Sequence, residues 1–424
     1  MYQAPRGTFD ILPEDEPYWR YIREKAERIA ALYGYGQLET PVFEDASLFQ
    51  RSVGMGTDIV EKEMYIFKDL GGSELALRPE GTAPVCRAYL EHGMANLPQP
   101  VKLYYIVPIF RYERPQAGRL REHHQFGYEA IGEGDASLDA EVIDMAWRFY
   151  QSLGITELTL KLNSIGCSAC RPTYIDVLKK YYAGKVDELC ADCKVRIERN
   201  PLRLLDCKQP ACQKVADAAP KSTDYLCREC AAHFNDLKRY LGILGIPFAI
   251  NSRLVRGLDY YTRTVFEIQP LVEGGQSTIG GGGRYDNLLA ELGGKPAPAI
   301  GFATGIERII LNLKRQGIPV PPVSHPEIFV ANIGAGTKDE AVKLAAALRK
   351  NNIGALAATE EKSLRAQLRR ANSLGVRFAL IIGEDEFKNG TVVLRDMASA
   401  GQELVPLKGI EGVLKNRLSS AKQG

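Results

Sequence analysis

Two runs of alternating side chains, joined by an arginine-rich loop, make up the stretch VKLYYIVPIFRYERPQAGRLREHHQFGYEAI from Val101 to Ile131. The alternation through Val101, Leu103, Tyr105, Val107, Ile109, Arg111 and Glu113 has the period of a strand, so Arg111 and Glu113 leave the sheet on one face. On the returning run Gln125, Gly127 and Glu129 likewise share a face. Such a hairpin gathers an arginine, two carboxylates and an amide on one surface, and Arg114, Arg119 and Arg121 hang between its strands. Arginine suits phosphate because its planar fork donates two parallel hydrogen bonds and keeps its charge at any working pH. The surface therefore fits an anionic substrate carrying a polar cargo. The competing reading is a solvated basic loop on an ordinary hairpin.

A chain of 424 residues is too long for one core, so two or three domains are expected. The net charge of +2 excludes a protein that coats nucleic acid by bulk charge, and any polyanion must be met locally. Residues 324–424 carry 15 Lys and Arg against 11 Asp and Glu, while the remainder carries 39 against 41, so the C-terminal part is the more basic. No apolar run reaches the roughly 18 residues of a membrane span, and the N-terminal segment with Arg6, Asp10 and Glu14 lacks a signal-peptide core. A cytoplasmic, reducing location is expected, with cysteines free to ligate metal.

In chain order, residues 1–12 read as an extended arm and Pro13 to Gly34 as a helix through Trp19, Ile22, Ala26, Ile29 and Leu32. Leu38 to Phe43, LETPVF, reads as a strand. LALRPEGT ends in Glu80 and Thr82, a carboxylate and a hydroxyl that could accept from an ammonium; alternatively Thr82 caps a helix beginning at Ala83. Leu138 to Leu153 is an amphipathic helix with a packing role, and Leu158 to Leu162 a strand. Arg256-Gly-Leu-Asp-Tyr-Tyr-Thr262 combines an anion clamp with hydrogen-bonding rings, before a strand at Thr264 to Ile268. GGGGRYD at 280–286 is neither a P-loop nor G-x-G-x-x-G, and its glycines would let backbone approach a ligand. Ala299 to Leu313 passes from strand to helix; taken alone, Glu307 and Arg308 would be an exposed helical pair. Four prolines between Lys314 and Pro326 mark a linker. Beyond it, alternating strands and helices suggest a small α/β domain whose second helix, Glu361 to Leu374, bears Lys362, Arg365, Arg369 and Arg370 as a basic edge for RNA.

Eight of the nine cysteines fall between Cys167 and Cys230, with C-x-x-C pairs at 167/170, 190/193 and 227/230. Two such pairs complete a tetrahedral structural zinc site, and Cys190, Cys193, Cys227 and Cys230 are the expected set. Cys207 and Cys212 do not fit that spacing.

Phe110-Arg-Tyr-Glu-Arg-Pro115, with Glu129 on the returning strand, resembles motif 2 of the class II aminoacyl-tRNA synthetases, and its extension through Arg119 to Gly127 is similar to the histidyl family. The first helix followed by Pro41 resembles motif 1, AIGFATGIERIILNL resembles motif 3, and Arg256 to Thr262 resembles the string that sets histidyl enzymes apart. The resemblance spans the chain and implies an α+β fold. It consists of a class II antiparallel sheet with flanking helices over residues 1–325, interrupted by a helical Cys-rich insertion at about 167–240 that presses on the tRNA acceptor stem. A C-terminal α/β anticodon-binding domain follows over 326–424. It implies activation of L-histidine with ATP and Mg²⁺, release of pyrophosphate, and transfer to tRNA(His) by a homodimer; zinc is not general in that family. Arg111, Arg256 and Arg308 would be catalytic, with Arg111, Glu113 and Arg308 on ATP. Glu80, Gly81, Thr82, Gln125, Glu129, Arg256, Tyr260, Tyr261 and Tyr285 would hold histidine, and Arg114, Arg119 and Arg121 would meet the acceptor end. A non-catalytic paralogue would lack the 256–262 string and the C-terminal domain, and a sensing module would have lost arginines at 111, 256 or 308; all are present.

Overall fold

The computed structural model describes residues 2–54, 57–114, 119–271, 278–323, 325–359 and 362–420, and every count below refers to these. Contacts divide the chain into two units, meeting between Pro321 and Pro322.

The first unit contains strands β1 (Gly36–Gln37), β2 (Phe43–Asp45), β3 (Ile66–Lys68), β4 (Glu74–Leu77), β5 (Val101–Phe110), β6 (Glu122–Ile131), β7 (Leu158–Ser164), β8 (Phe248–Ile250), β9 (Thr262–Pro270), β10 (Gly280–Arg284) and β11 (Ala299–Gly305). Eight of them form one sheet in the order β1-β5-β6-β11-β10-β9-β7-β8, and β2-β4-β3 form a small second sheet. The large sheet is antiparallel from β5 through β7, with parallel pairs only at its edges, β1 with β5 and β7 with β8.

One face of this sheet is apolar and covered. Tyr104, Phe126, Tyr128, Phe266, Ile300 and Phe302 pack there against Trp19 and Ile22 of helix Glu16–Leu32 and against Phe149 and Tyr150 of helix Ala136–Ser152. The other face carries the polar residues, because residues directly opposite in antiparallel strands point the same way. The register Leu103–Glu129–Gly301–Gly283–Val265 crosses five strands in one row, and Tyr105–Gly127–Ala303–Gly281–Glu267 forms the row beside it. Carboxylates from β6 and β9 are thereby set against glycines from β10 and β11.

The segment expected as a strand at Leu38 to Phe43 is irregular up to Val42. Its carbonyls serve the buried Arg78, which donates to Thr40 O at 2.8 Å and Pro41 O at 3.2 Å, and Pro41 has no N–H to give to a ladder. Six helices of this unit follow the β7 strand in sequence: Arg171–Ala183, Ala191–Arg199, Pro210–Asp217 and Arg228–Ile243, then Leu288–Glu291 after three strands and Ile306–Arg315 after β11.

The second unit is a five-stranded sheet of β12 (Ile328–Asn332), β13 (Ala355–Ala357), β14 (Phe378–Ile382), β15 (Thr391–Asp396) and β16 (Gln402–Pro406), ordered β13-β12-β14-β15-β16. Its first three strands are parallel, as the alternation of strands and helices requires; the antiparallel β15 and β16 add a hairpin. The second helix runs Leu364–Ser373, so Lys362 precedes it, and Glu361 lies outside the described residues. Lys362, Arg369 and Arg370 line a shallow hollow beside Phe329. None of the helices of the described residues is long and apolar enough to cross a membrane.

Candidate active site

A cleft of about 270 Å³ opens on the polar face of the large sheet. Its wall includes Glu80, Gly81, Thr82, Arg111, Glu113, Arg119, Gln125, Glu129, Arg256, Tyr260, Tyr261, Tyr285 and Arg308. Arg114 and Arg121 are not on this wall; Arg121 stacks on the Tyr112 ring at 3.8 Å. Residues 115–118 of the same loop, with Pro115 of the motif, lie outside the described residues.

The inner end of the cleft is a closed hydrogen-bond network. Glu129 is fully buried, and its Oε1 accepts from Thr82 Oγ1 at 2.8 Å and Tyr105 OH at 3.2 Å, while Oε2 accepts from Tyr285 OH at 2.6 Å. Burial raises its carboxyl to about 8, against the three hydroxyls that favour the charged form. Close packing here depends on glycine: a Cβ at Gly301 would coincide with the Glu129 carboxylate, and one at Gly127 with the Tyr105 ring. The glycines of β10 and β11 thus make room for site side chains, where the sequence had suggested room for a ligand. Arg284, at the end of β10, points away and is buried against Asp139 and Asp286.

Glu80 has a second role. Its carboxylate accepts from the backbone N–H of Thr82 at 2.7 Å and of Ala83 at 2.7 Å, capping helix Thr82–Glu91, so the cap expected of Thr82 belongs to Glu80 and the Thr82 hydroxyl is released to Glu129. Burial raises the Glu80 carboxyl, and the two N–H donors oppose that shift.

The outer end is cationic. Arg111 Nε donates to Pro79 O at 2.7 Å, and Arg308 Nη1 to Thr278 O at 2.7 Å. Arg256 pairs with Glu267 of β9; burial works against its charge, but Glu267 and Tyr261 outweigh burial and hold it fully protonated. Its Nε is buried without a hydrogen-bond partner among the described residues. Glu113 stands 3.3 Å from Arg119. His123, also on the wall, is depressed to about 3 by burial and then by Arg111 and Arg308, and so is neutral.

Sequence reasoning missed Tyr105, His123, Glu267 and Glu307. Glu307 is buried, accepting from the backbone N–H of His124 at 2.8 Å, and is not the exposed helical residue its setting suggested. The signal for Tyr105 and Glu267 lay in the alternation of their strands, once β5 and β9 are known to border the same face.

The cysteines sort differently from the expected set. Cys190 and Cys193 join Cys207 and Cys212, while Cys227 and Cys230 join Cys167 and Cys170. The C-x-x-C spacing fixes pairs, and only the fold decides which pairs meet.

With this geometry in hand, comparison with known proteins is decisive. A model of the histidyl-tRNA synthetase family matches residues 7–309, and an anticodon binding domain matches residues 327–417. The chain belongs to the histidyl-tRNA synthetase family. Members are class II ligases that join histidine to tRNA(His), and the synthetase family uses ATP and Mg²⁺. A histidine–tRNA ligase of Dehalococcoides mccartyi is 63% identical over 418 residues, covering 99% of this chain and all of the relative; one of Pelotomaculum thermopropionicum is 49% identical over 419, covering 99% of each. The crystal structure of apo Staphylococcus aureus histidyl-tRNA synthetase superposes with a TM-score of 0.82 at 39% identity, covering 97% of this chain and 99% of that one.

Proposed function

We propose that the cleft joins L-histidine to ATP, forming histidyl-adenylate and pyrophosphate, and then passes the histidyl group to the 3′ end of tRNA(His). The observation that carries this reading is the polarity of the cleft: a buried, hydroxyl-ringed carboxylate at one end and Arg111, Arg256 and Arg308 at the other. The histidine carboxylate attacks the α-phosphorus of ATP, and negative charge grows on the phosphate oxygens. Arg111 and Arg256 face that charge as fixed donors, which stabilise the transition state without reorganising. Arg256 also holds the substrate carboxylate, using the Nε that its Glu267 pair leaves unpartnered. Arg308 and Glu113 hold the remaining phosphates and nucleotide.

Glu80, Gly81, Thr82 and Gln125 surround the ammonium. Glu129 and Tyr261 meet the two imidazole nitrogens, with Tyr260 and Tyr285 closing the pocket, so an analogue lacking either nitrogen strands a buried polar group. Sites of that kind discriminate by roughly 10⁴-fold or more. The donor set suits Mg²⁺, since carboxylates of Glu113 and Glu267 stand on the phosphate side; when bound it neutralises phosphate charge. In the second step the terminal ribose hydroxyl attacks the adenylate, whose phosphate is already a good leaving group. Arg114, Arg119 and Arg121 lie toward the incoming acceptor end, the basic edge of the second unit meets the anticodon, and the enzyme works as a homodimer in the cytoplasm.

Histidine-dependent exchange of labelled pyrophosphate into ATP tests the reading, with the other amino acids as controls. Exchange with histidine alone is expected. A folded protein that exchanges with no amino acid would overturn it.

A further inference from the structure

We propose that this chain carries two separate four-thiolate zinc sites, Cys167/Cys170/Cys227/Cys230 and Cys190/Cys193/Cys207/Cys212, and that the first clamps a strained bulge in β9 beside the cleft residue Tyr261. Within each set all four sulfurs lie within 4.8 Å of one another. The spacings are 3.8 Å for Cys167–Cys170, 3.9 Å for Cys167–Cys227, 3.8 Å for Cys170–Cys230 and 3.9 Å for Cys190–Cys207. Zinc bound to four thiolates at about 2.3 Å sets its sulfurs on a tetrahedron with edges of about 3.8 Å. A disulfide needs about 2.05 Å, and all nine cysteines are free. Cysteines packed only as small apolar residues would scatter through a core among aliphatic neighbours. Here eight fall into two clusters of four, which the chemistry of a soft, tetrahedral cation accounts for.

The surroundings suit thiolate charge. Cys170, Cys190 and Cys227 each directly precede a helix, where the unpaired N–H groups favour an anion. Backbone N–H groups also reach sulfur, from Cys167 to Cys170 Sγ at 3.4 Å and from Cys190 to Cys212 Sγ at 3.2 Å.

The first site is coupled to the cleft wall. Arg263, two residues past Tyr261, has φ +47 at a register shift between β9 and β10, a conformation that crowds the Cβ of a non-glycine residue against its own backbone. It is held there by Ile165 N donating to Arg263 O at 2.8 Å and by its own N–H donating to Gly166 O at 2.9 Å. Gly166 adjoins Cys167, and Arg171, next after Cys170, donates to both Gly166 O and Tyr261 O. The four sulfurs therefore fix the residues that hold the strained bulge. The second site fixes the segment that sends Arg196 and Arg203 to Asp58 and Asn200 to Asp259.

The test is metal analysis of the full chain, purified under reducing conditions without chelator or a histidine tag, by inductively coupled plasma mass spectrometry. Two zinc per chain are expected, falling to one in Cys207→Ser/Cys212→Ser and to one in Cys227→Ser/Cys230→Ser. If those variants do not fold, the wild type decides. Mercurial titration should release two zinc, and cobalt-grown protein should show the charge-transfer and ligand-field bands of tetrahedral cobalt thiolate. One metal per chain, none, or iron in place of zinc would overturn the assignment. Amide hydrogen exchange reads the clamp: loss of the first zinc should speed exchange at Ile165 and Arg263 at least tenfold while Phe266 and Ile268 of β9 stay protected. Unchanged exchange at Arg263 in protein shown to have lost that zinc would overturn the clamp. The metal count stands or falls independently of pyrophosphate exchange.

Discussion

The two ends of the cleft solve different problems. At the inner end, Glu129, Thr82, Tyr105 and Tyr285 are buried and satisfy one another, so the selection proposed there rests on pairing, with a ligand replacing or extending a finished network. At the outer end Arg111 and Arg308 donate to backbone carbonyls and Arg119 pairs with Glu113, so the selection proposed there rests on charge rather than shape. Arg256 stands between them, half-buried in its pair with Glu267 and charged like the second group. Buried groups have large effects because removal leaves partners unsatisfied, whereas exposed charges are screened.

Substitutions should separate the ends in that order. Arg256→Ala is expected to lower the adenylation rate by about 10²–10³-fold, with a smaller change in histidine affinity, in single-turnover measurements; a change in affinity alone would move Arg256 to the inner group. Glu129→Gln should raise the KM for histidine by about 10–100-fold with ATP little affected, in pyrophosphate exchange.

The same variant has a pH signature. A carboxyl raised in the folded state to about 8 stabilises the fold fully below its unfolded value, and that contribution is lost as pH climbs through the folded value. The melting-temperature advantage of wild type over Glu129→Gln should therefore shrink between about pH 4.5 and about 8. A constant difference across that window would contradict the buried network. Tyr105→Phe, which deletes one hydroxyl from that network, should cost about 1 kcal/mol, or several-fold in histidine KM. The smallest effect belongs to Arg119→Ala, whose pair with Glu113 is half exposed: under about 1 kcal/mol in thermal unfolding, and less still at high salt.

The hairpin of β5 and β6 was legible because alternation is a local property, and it placed Gln125 and Glu129 on one face without knowledge of the other strands. The α/β character of the second unit was legible from a different pattern, the alternation of whole strands and helices. Tyr105 and Glu267 were not, since their place on one cleft wall depends on a row of pairings across five strands that no local pattern encodes. The cysteines show the limit most plainly: C-x-x-C pairs are visible in the chain, but the partner of each pair is chosen by where helices begin. The alternative of a Thr82 cap on helix Thr82–Glu91 rests on the usual signal, a short hydroxyl, whereas the longer Glu80 carboxylate reaches the same N–H groups from two residues upstream.

That cap bears on how amino-acid choice could change over evolutionary time. An ammonium group is common to every amino acid, and the carboxylate proposed to receive it is bound into the backbone of a helix, so replacing Glu80 would unsettle the fold along with the ligand. Glu129, proposed to read the part unique to histidine, is held by side chains alone. A lineage could exchange Glu129 and its hydroxyl partners and keep the helix, which leaves the generic half of the substrate fixed in the architecture and the specific half open to drift.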